Sequence, residues 1–149
     1  MKTLEHGFNY LFEIHNDKEL YVFILKSDAD ISKIDQYGWT PLDRAIEKDN
    51  IELVKLLMFK SNGADLNFTW KHETTPLNEA IRKGKLEIVK LLVTSGADID
   101  FEDNLGWPPL CNAIRYNKPE MVKLLIEMGA NINLKDNYHW TPLLSMRTI

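Results

Sequence analysis

Four histidines, one cysteine and 22 carboxylates are the first side chains to consider here for acid–base, metal-binding or nucleophilic chemistry. His6, His15, His72 and His139 are widely separated, and no two stand four residues apart to share a zinc ion on one helix face. Cys111 is the lone cysteine, so there is no C-x-x-C for zinc or redox exchange and no internal disulfide. A reactive thiol needs an electropositive, exposed setting. None is signalled around Cys111, and an inert packing thiol is expected. Neither G-x-G-x-x-G nor G-x-x-x-x-G-K-[ST] occurs, so no phosphate loop is signalled. Carboxylates on helix surfaces are ordinarily just solvated. No catalytic residue, metal ligand or cofactor is expected, and the chain does not read as an enzyme.

The elements that must position any functional side chain are visible in GWTPLDRAIEKDNIELVKLL, which starts at Gly38. Thr-Pro opens a helical run, the run stops at Asp49-Asn50, and a second apolar run containing Val54, Leu56 and Leu57 follows at once. Isolated helices below roughly 12–15 residues are marginal in water, so both must pack on something. The rest of the chain supplies it. TTPLNEAIRKGKLEIVKLL begins at Thr74, WPPLCNAIRYNKPEMVKLL at Trp107 and WTPLLSM at Trp140. Their prolines, Pro41, Pro76, Pro109 and Pro142, are spaced by 35, 33 and 33 residues. Each helix pair leads into SNGADLN ending at Asn67, SGADID ending at Asp100 or MGANIN ending at Asn133. Two extra residues between Leu57 and Gly63 account for the longer first interval. A worn copy precedes them: LKSDADIS carries Asp28 where a glycine is due, and Asn16 to Leu20 aligns with Asn117 to Met121. The expected organisation is one domain over 1–149. It comprises a degenerate capping repeat (1–32), well-formed repeats at 33–67, 68–100 and 101–133, and an incomplete repeat at 134–149.

Proline suits the first helical turn, and Thr40, Thr75 and Thr141 can each cap the helix behind them with a hydroxyl. Pro108 cannot. Ala45, Ala80 and Ala113 let neighbouring helices approach. Leu42, Leu77 and Leu110 with Ile46, Ile81 and Ile114 form the first-helix stripe. The second-helix stripe is expected at Val54, Leu56 and Leu57, at Val89, Leu91 and Leu92, and at Val122, Leu124 and Leu125. Gly63, Gly96 and Gly129 sit where a left-handed residue ends a helix. One repeat cannot bury its own apolar face, so stability must come from stacking. At the end of the array, Leu143, Leu144, Met146 and Ile149 either cover the last full repeat or leave an apolar edge.

The totals agree with a packed protein. Hydrophobic residues make up 44% and charged residues 27%, ordinary for a globular chain, so disorder is not expected. The net charge of −4 gives no reason to expect nucleic-acid or membrane partners. No continuous apolar h-region opens the chain, and nothing approaches the ~18 apolar residues of a membrane span.

The period of roughly 33 residues, with T-P-L-x-x-A-I, E-x-V-K-L-L and G-A-D/N-x-N/D in register, resembles ankyrin repeats over nearly the whole chain. The resemblance implies an all-α solenoid of helix-turn-helix units with projecting β-hairpins. It also implies a protein-interaction module without catalysis, whose concave face of hairpin tips and first helices grips another protein. By register, the tips present Tyr37, Trp39, Lys71, His72, Leu105, Trp107, Tyr138 and Trp140. The first helices add Lys48, Arg82, Lys83, Arg115 and Tyr116. Trp, Tyr and Arg dominate binding hot spots. Trp39, Trp107 and Trp140 hold one repeat position and should form a row, either packing over the hairpin or meeting the partner. Lys48, Arg82, Lys83 and Arg115 suggest an acidic partner segment. Cys111 takes the place of the family's usual T-P-L-H histidine. Trp70 replaces the usual tip Asp, while Glu73 and His139 replace the tip Gly, which should reshape or loosen those turns. Other readings are a structural fragment or self-associating scaffold of a longer ankyrin protein, and a substrate for asparagine hydroxylation at Asn67 or Asn133. A monomer with some self-association at its C-terminal edge is expected. So is a cytoplasmic location, or a host cytoplasm if the chain is a delivered effector.

Overall fold

The structure, a computed structural model, describes residues 17–26, 30–61, 66–69 and 73–147. The chain divides into two compact units, Met1–Ala64 and Asp65–Ile149. Among the described residues it is all-helical. The first unit contains α1 (Asp17–Lys26), α2 (Pro41–Glu47) and α3 (Ile51–Lys60). The second contains α4 (Pro76–Lys83), α5 (Leu86–Thr94), α6 (Pro109–Arg115), α7 (Pro119–Glu127) and α8 (Pro142–Met146). Gly63, Asp28 and most of the degenerate first repeat lie outside the described residues. One of the two extra residues after Leu57 lengthens the second helix: α3 has 10 residues against 9 in α5 and α7.

Short helices need well-made ends, and these have them. Thr40 caps α2 in a reciprocal box, its hydroxyl accepting from the Asp43 N–H while Asp43 accepts from the Thr40 N–H. Thr75 caps α4 through the Asn78 N–H at 3.1 Å. Pro108 offers α6 no side-chain cap, as expected. Thr141 departs from expectation, because it makes no side-chain cap bond to the five-residue α8. The first helices close alike, on a left-handed residue: Asp49 (φ 56°), Gly84 (φ 74°) and Asn117 (φ 52°). The N–H that follows each one reaches back to the carbonyl of Ala45, Ala80 or Ala113 at 2.9–3.0 Å. Gly96 and Gly129 end α5 and α7 in the same way, with Ala97 and Ala130 donating to Leu92 and Leu125.

Helix α1 packs on α3 through the buried Leu20 and Ile24, and the Tyr21 hydroxyl donates to Asn50 Oδ1 at 2.8 Å. In the second unit α6 packs between α4 and α8, while α5 and α7 each pair with the first helix before them. Ala45, Ala80 and Ala113 are wholly buried, with Ile46 and Ile81 beside them. In the second-helix stripe Val54, Leu57, Val89, Leu92 and Leu125 are buried as expected, but other members differ. Its most buried members include Leu53, Ile88 and Met121, which pair at i,i+4 with Leu57, Leu92 and Leu125. Leu56, Leu91 and Leu124 are only half-buried. One residue is 100° around a helix, so three consecutive apolar residues cannot all face inward.

At the C-terminal edge the open alternative holds. Leu143 (68%), Leu144 (46%) and Met146 (54%) are exposed. Ile149 lies outside the described residues.

Candidate functional site

Each described loop tip is built on an aspartate. Asp35, Asp103 and Asp136 stand four residues before Trp39, Trp107 and Trp140. Each donates its N–H to that tryptophan's carbonyl (2.8, 3.2 and 2.9 Å). Each also accepts, at Oδ1, the N–H groups of the tryptophan and of the residue two places along, Tyr37, Leu105 or Tyr138 (2.8–3.0 Å). This Asx geometry shapes the tip without a ladder, and among the described residues no β-strand forms. The expected hairpins are reverse turns.

His139 does not loosen its turn. It takes φ 63°, donates to the Asp136 carbonyl at 2.9 Å and leaves the aspartate bonds intact, as Gly106 does at φ 76°. Glu73 likewise adopts φ 58°. The network around the tip tolerates the strain that a side chain brings to this region.

In the second unit neighbouring tips are laid against one another. The Asn104 N–H donates to the Glu73 carbonyl at 3.0 Å. Gly106 faces Asn137 so closely that a Cβ on it would lie 2.9 Å from the Asn137 Cβ. Trp107 and Tyr138 meet edge to face, with ring centroids 5.7 Å apart and planes at 69°. Behind them, Asp103 Oδ2 takes bonds from Asn78 Nδ2 (3.4 Å) and Asn112 Nδ2 (3.1 Å), all three side chains being buried. Asn78 Nδ2 also donates to the Trp107 carbonyl at 3.3 Å. Further from the tips, Asn67 Oδ1 accepts from the Asp98 N–H (2.7 Å) and Asp100 Oδ1 from the Asn131 N–H (2.9 Å). These two side chains tie one loop to the next.

The predicted surface residues separate by what they do. Tyr37 (58%), Leu105 (47%), Tyr138 (67%) and Trp140 (44%) are exposed at the tips, and Trp39 and Trp107 are half-buried. Lys48 caps the end of α2 and is exposed, Lys83 is half-buried and Tyr116 caps α6. Lys71, His72 and Trp70 lie outside the described residues. Arg82 is exposed, but its charge is paired within the fold. It holds the buried Glu79 through two bonds, Nε–Oε2 at 2.9 Å and Nη2–Oε1 at 2.6 Å. Arg115 lies over Trp107, with Cζ 4.7 Å from the ring centroid, and against Tyr116 at 5.6 Å.

Sequence reasoning missed Arg44, which reaches from α2 to its own tip. Its guanidinium lies 5.6 Å from both the Tyr37 and Trp39 rings and pairs with Asp35 at 2.6 Å. No local pattern in the sequence marks this contact, which spans the nine residues from Asp35 to Arg44. Burial pushes the Asp35 carboxyl up, but the Trp39 N–H, Arg44 and the Tyr37 N–H outweigh it and hold the group below its ordinary value. Cys111 is buried as expected. Burial, then the nearby Asp136 and Glu102 carboxylates, push its thiol up to about 12. Among the described residues, no group of His, Cys, Asp and Glu is placed to hold a metal ion. No helix there is long and apolar enough to cross a membrane.

A comparison with curated proteins finds no match. Family models do match: ankyrin repeats (3 copies) over residues 77–145 and ankyrin repeats (many copies) over 10–58 and 42–93. Those spans take in every described helix but the last residue of α8, and the helix pairs recur inside them with the same left-handed closures and buried alanines, and with Asx tips at Asp35, Asp103 and Asp136. The chain is an all-α repeat protein of the ankyrin repeat family.

Proposed function

We propose that this protein binds another protein through the loop tips and the exposed side of the first helices of its units, and has no catalysis of its own. Ankyrin repeats are in general protein–protein interaction modules. The observation that carries the reading is a set of large aromatic and apolar side chains, Tyr37, Leu105, Tyr138 and Trp140, held exposed on tips that aspartate carboxylates brace. Preorganised aromatics lose little entropy on binding, which is where affinity is gained. The test is affinity capture from a lysate, wild type beside a Trp107→Ala/Tyr116→Ala double variant, read by mass spectrometry. The expected result is a protein retained by wild type and lost by the variant, with unchanged circular dichroism. Equal retention by both would move the interface elsewhere.

A second reading has its own observation. A groove of about 590 Å³ beside α7 is lined by Ile114, Val122, Ile126 and Met146, with Lys118, Lys123 and Glu127 also on its walls. Such an apolar edge favours self-association. Light scattering over a concentration series decides it: a mass that rises with concentration supports a scaffold, and a constant monomer mass removes it.

A further inference from the structure

We infer that Arg115, lying against the rings of Trp107 and Tyr116, is the anchor for a carboxylate of the partner, so that the second unit selects an acidic segment with an apolar neighbour. The inference rests on the reading that loop tips and first helices form the binding surface. It deepens that reading by naming the group recognised.

Three arginines stand on first helices, and they differ in what takes their charge. Arg44 lies against tip aromatics, but Asp35 takes its charge at 2.6 Å and Glu47 lies 3.6 Å away. Arg82 is held in two bonds by Glu79. Arg115 is the third. It is exposed and its contacts are two aromatic faces, with no carboxylate on any of its five N–H donors among the described residues. The two rings hold the guanidinium by cation–π attraction, and the weak hydration of that group makes it easy to desolvate. A planar guanidinium fork on an exposed residue, with no carboxylate partner among the described residues, matches a carboxylate bidentately.

The surroundings set the rest of the preference. Tyr138 braces Trp107 edge-on, and the exposed faces of Leu105 and Tyr138 offer apolar contact beside the charge. The chain as a whole carries −4, so an acidic partner is drawn to this spot by a local cation and not by the overall field.

The test uses the purified chain and a displayed library of random octapeptides, followed by synthesis of the selected sequence and fluorescence anisotropy at low salt. Asp or Glu should be enriched at one fixed position. Replacing that residue by Gln or Asn in the peptide, or Arg115→Gln in the protein, should each weaken binding about tenfold or more. The two losses should not add, since they remove one contact. Arg115→Lys should restore only part, because it keeps charge but not the fork. Four results overturn the inference: no peptide selected, no acidic enrichment, equal binding by Arg115→Gln, or tighter binding when phosphoserine replaces the acid. Peptides selected without an acid but lost on Trp107→Ala overturn Arg115 and leave the surface reading standing. Peptides indifferent to both Trp107→Ala and Tyr116→Ala overturn both.

Discussion

Asp103 and Asp35 show how much one carboxylate can organise. Asp103 is buried and takes four bonds, from two backbone N–H groups and two asparagine amides. Its removal leaves those donors without a partner, at about 1–3 kcal/mol. Asp103→Ala should lower the denaturation midpoint by that amount and alter the fluorescence of Trp107. Asp35 makes a claim about pH. Its folded pKa lies below the ordinary value of 3.8, so its contribution is complete above that value and is lost as pH falls through the folded one. Wild type should therefore lose more stability than Asp35→Asn between neutral pH and about pH 3. Equal losses would contradict the assignment. The Cys111 thiol, buried and raised to about 12, should resist iodoacetamide at mildly alkaline pH until the fold opens.

At the scale of the element, caps and close approaches decide which short helices and turns hold. Thr75 makes its cap bond and Thr141 does not, so Thr75→Ala should cost about 1 kcal/mol and Thr141→Ala much less. Urea denaturation of the two variants, side by side, checks the contrast. Gly106 combines φ 76° with an approach that leaves no room for a Cβ beside Asn137. Gly106→Ala should cost about 1–2 kcal/mol from the backbone alone and push the two tips apart. Much of this scale was legible in sequence. The helix pairs, the Thr-Pro starts, the glycine ends and the buried alanines follow from local chemistry and a repeating period. What was not legible came from rotation and reach. The deep stripe passes through Leu53, Ile88 and Met121 because helical phase selects them, and a string of apolar letters hides phase. Arg44 reaches its tip across nine residues from Asp35, a contact that no local pattern announces.

Across the molecule, one repeated device carries different chemistry at each copy. The Asx tip recurs at Asp35, Asp103 and Asp136, and what varies is the side chains it holds up and the charges that lie beside them. The sequence set out a basic surface of Lys48, Arg82, Lys83 and Arg115. The structure commits Arg82 to a buried glutamate, so a count of positive residues overstated the charge on offer. Such commitment depends on which acids fold inward, and Glu79 reads like any other helix-surface glutamate until its burial is seen.

The most direct measurement of the central claim is hydrogen exchange of the chain alone and with its captured partner. The account predicts slowed exchange at the amides of residues 104–107, 115–116 and 137–140, where tips and first helix present their aromatics. Slowing confined to residues 119–127 and 142–146, along the apolar groove beside α7, would contradict it.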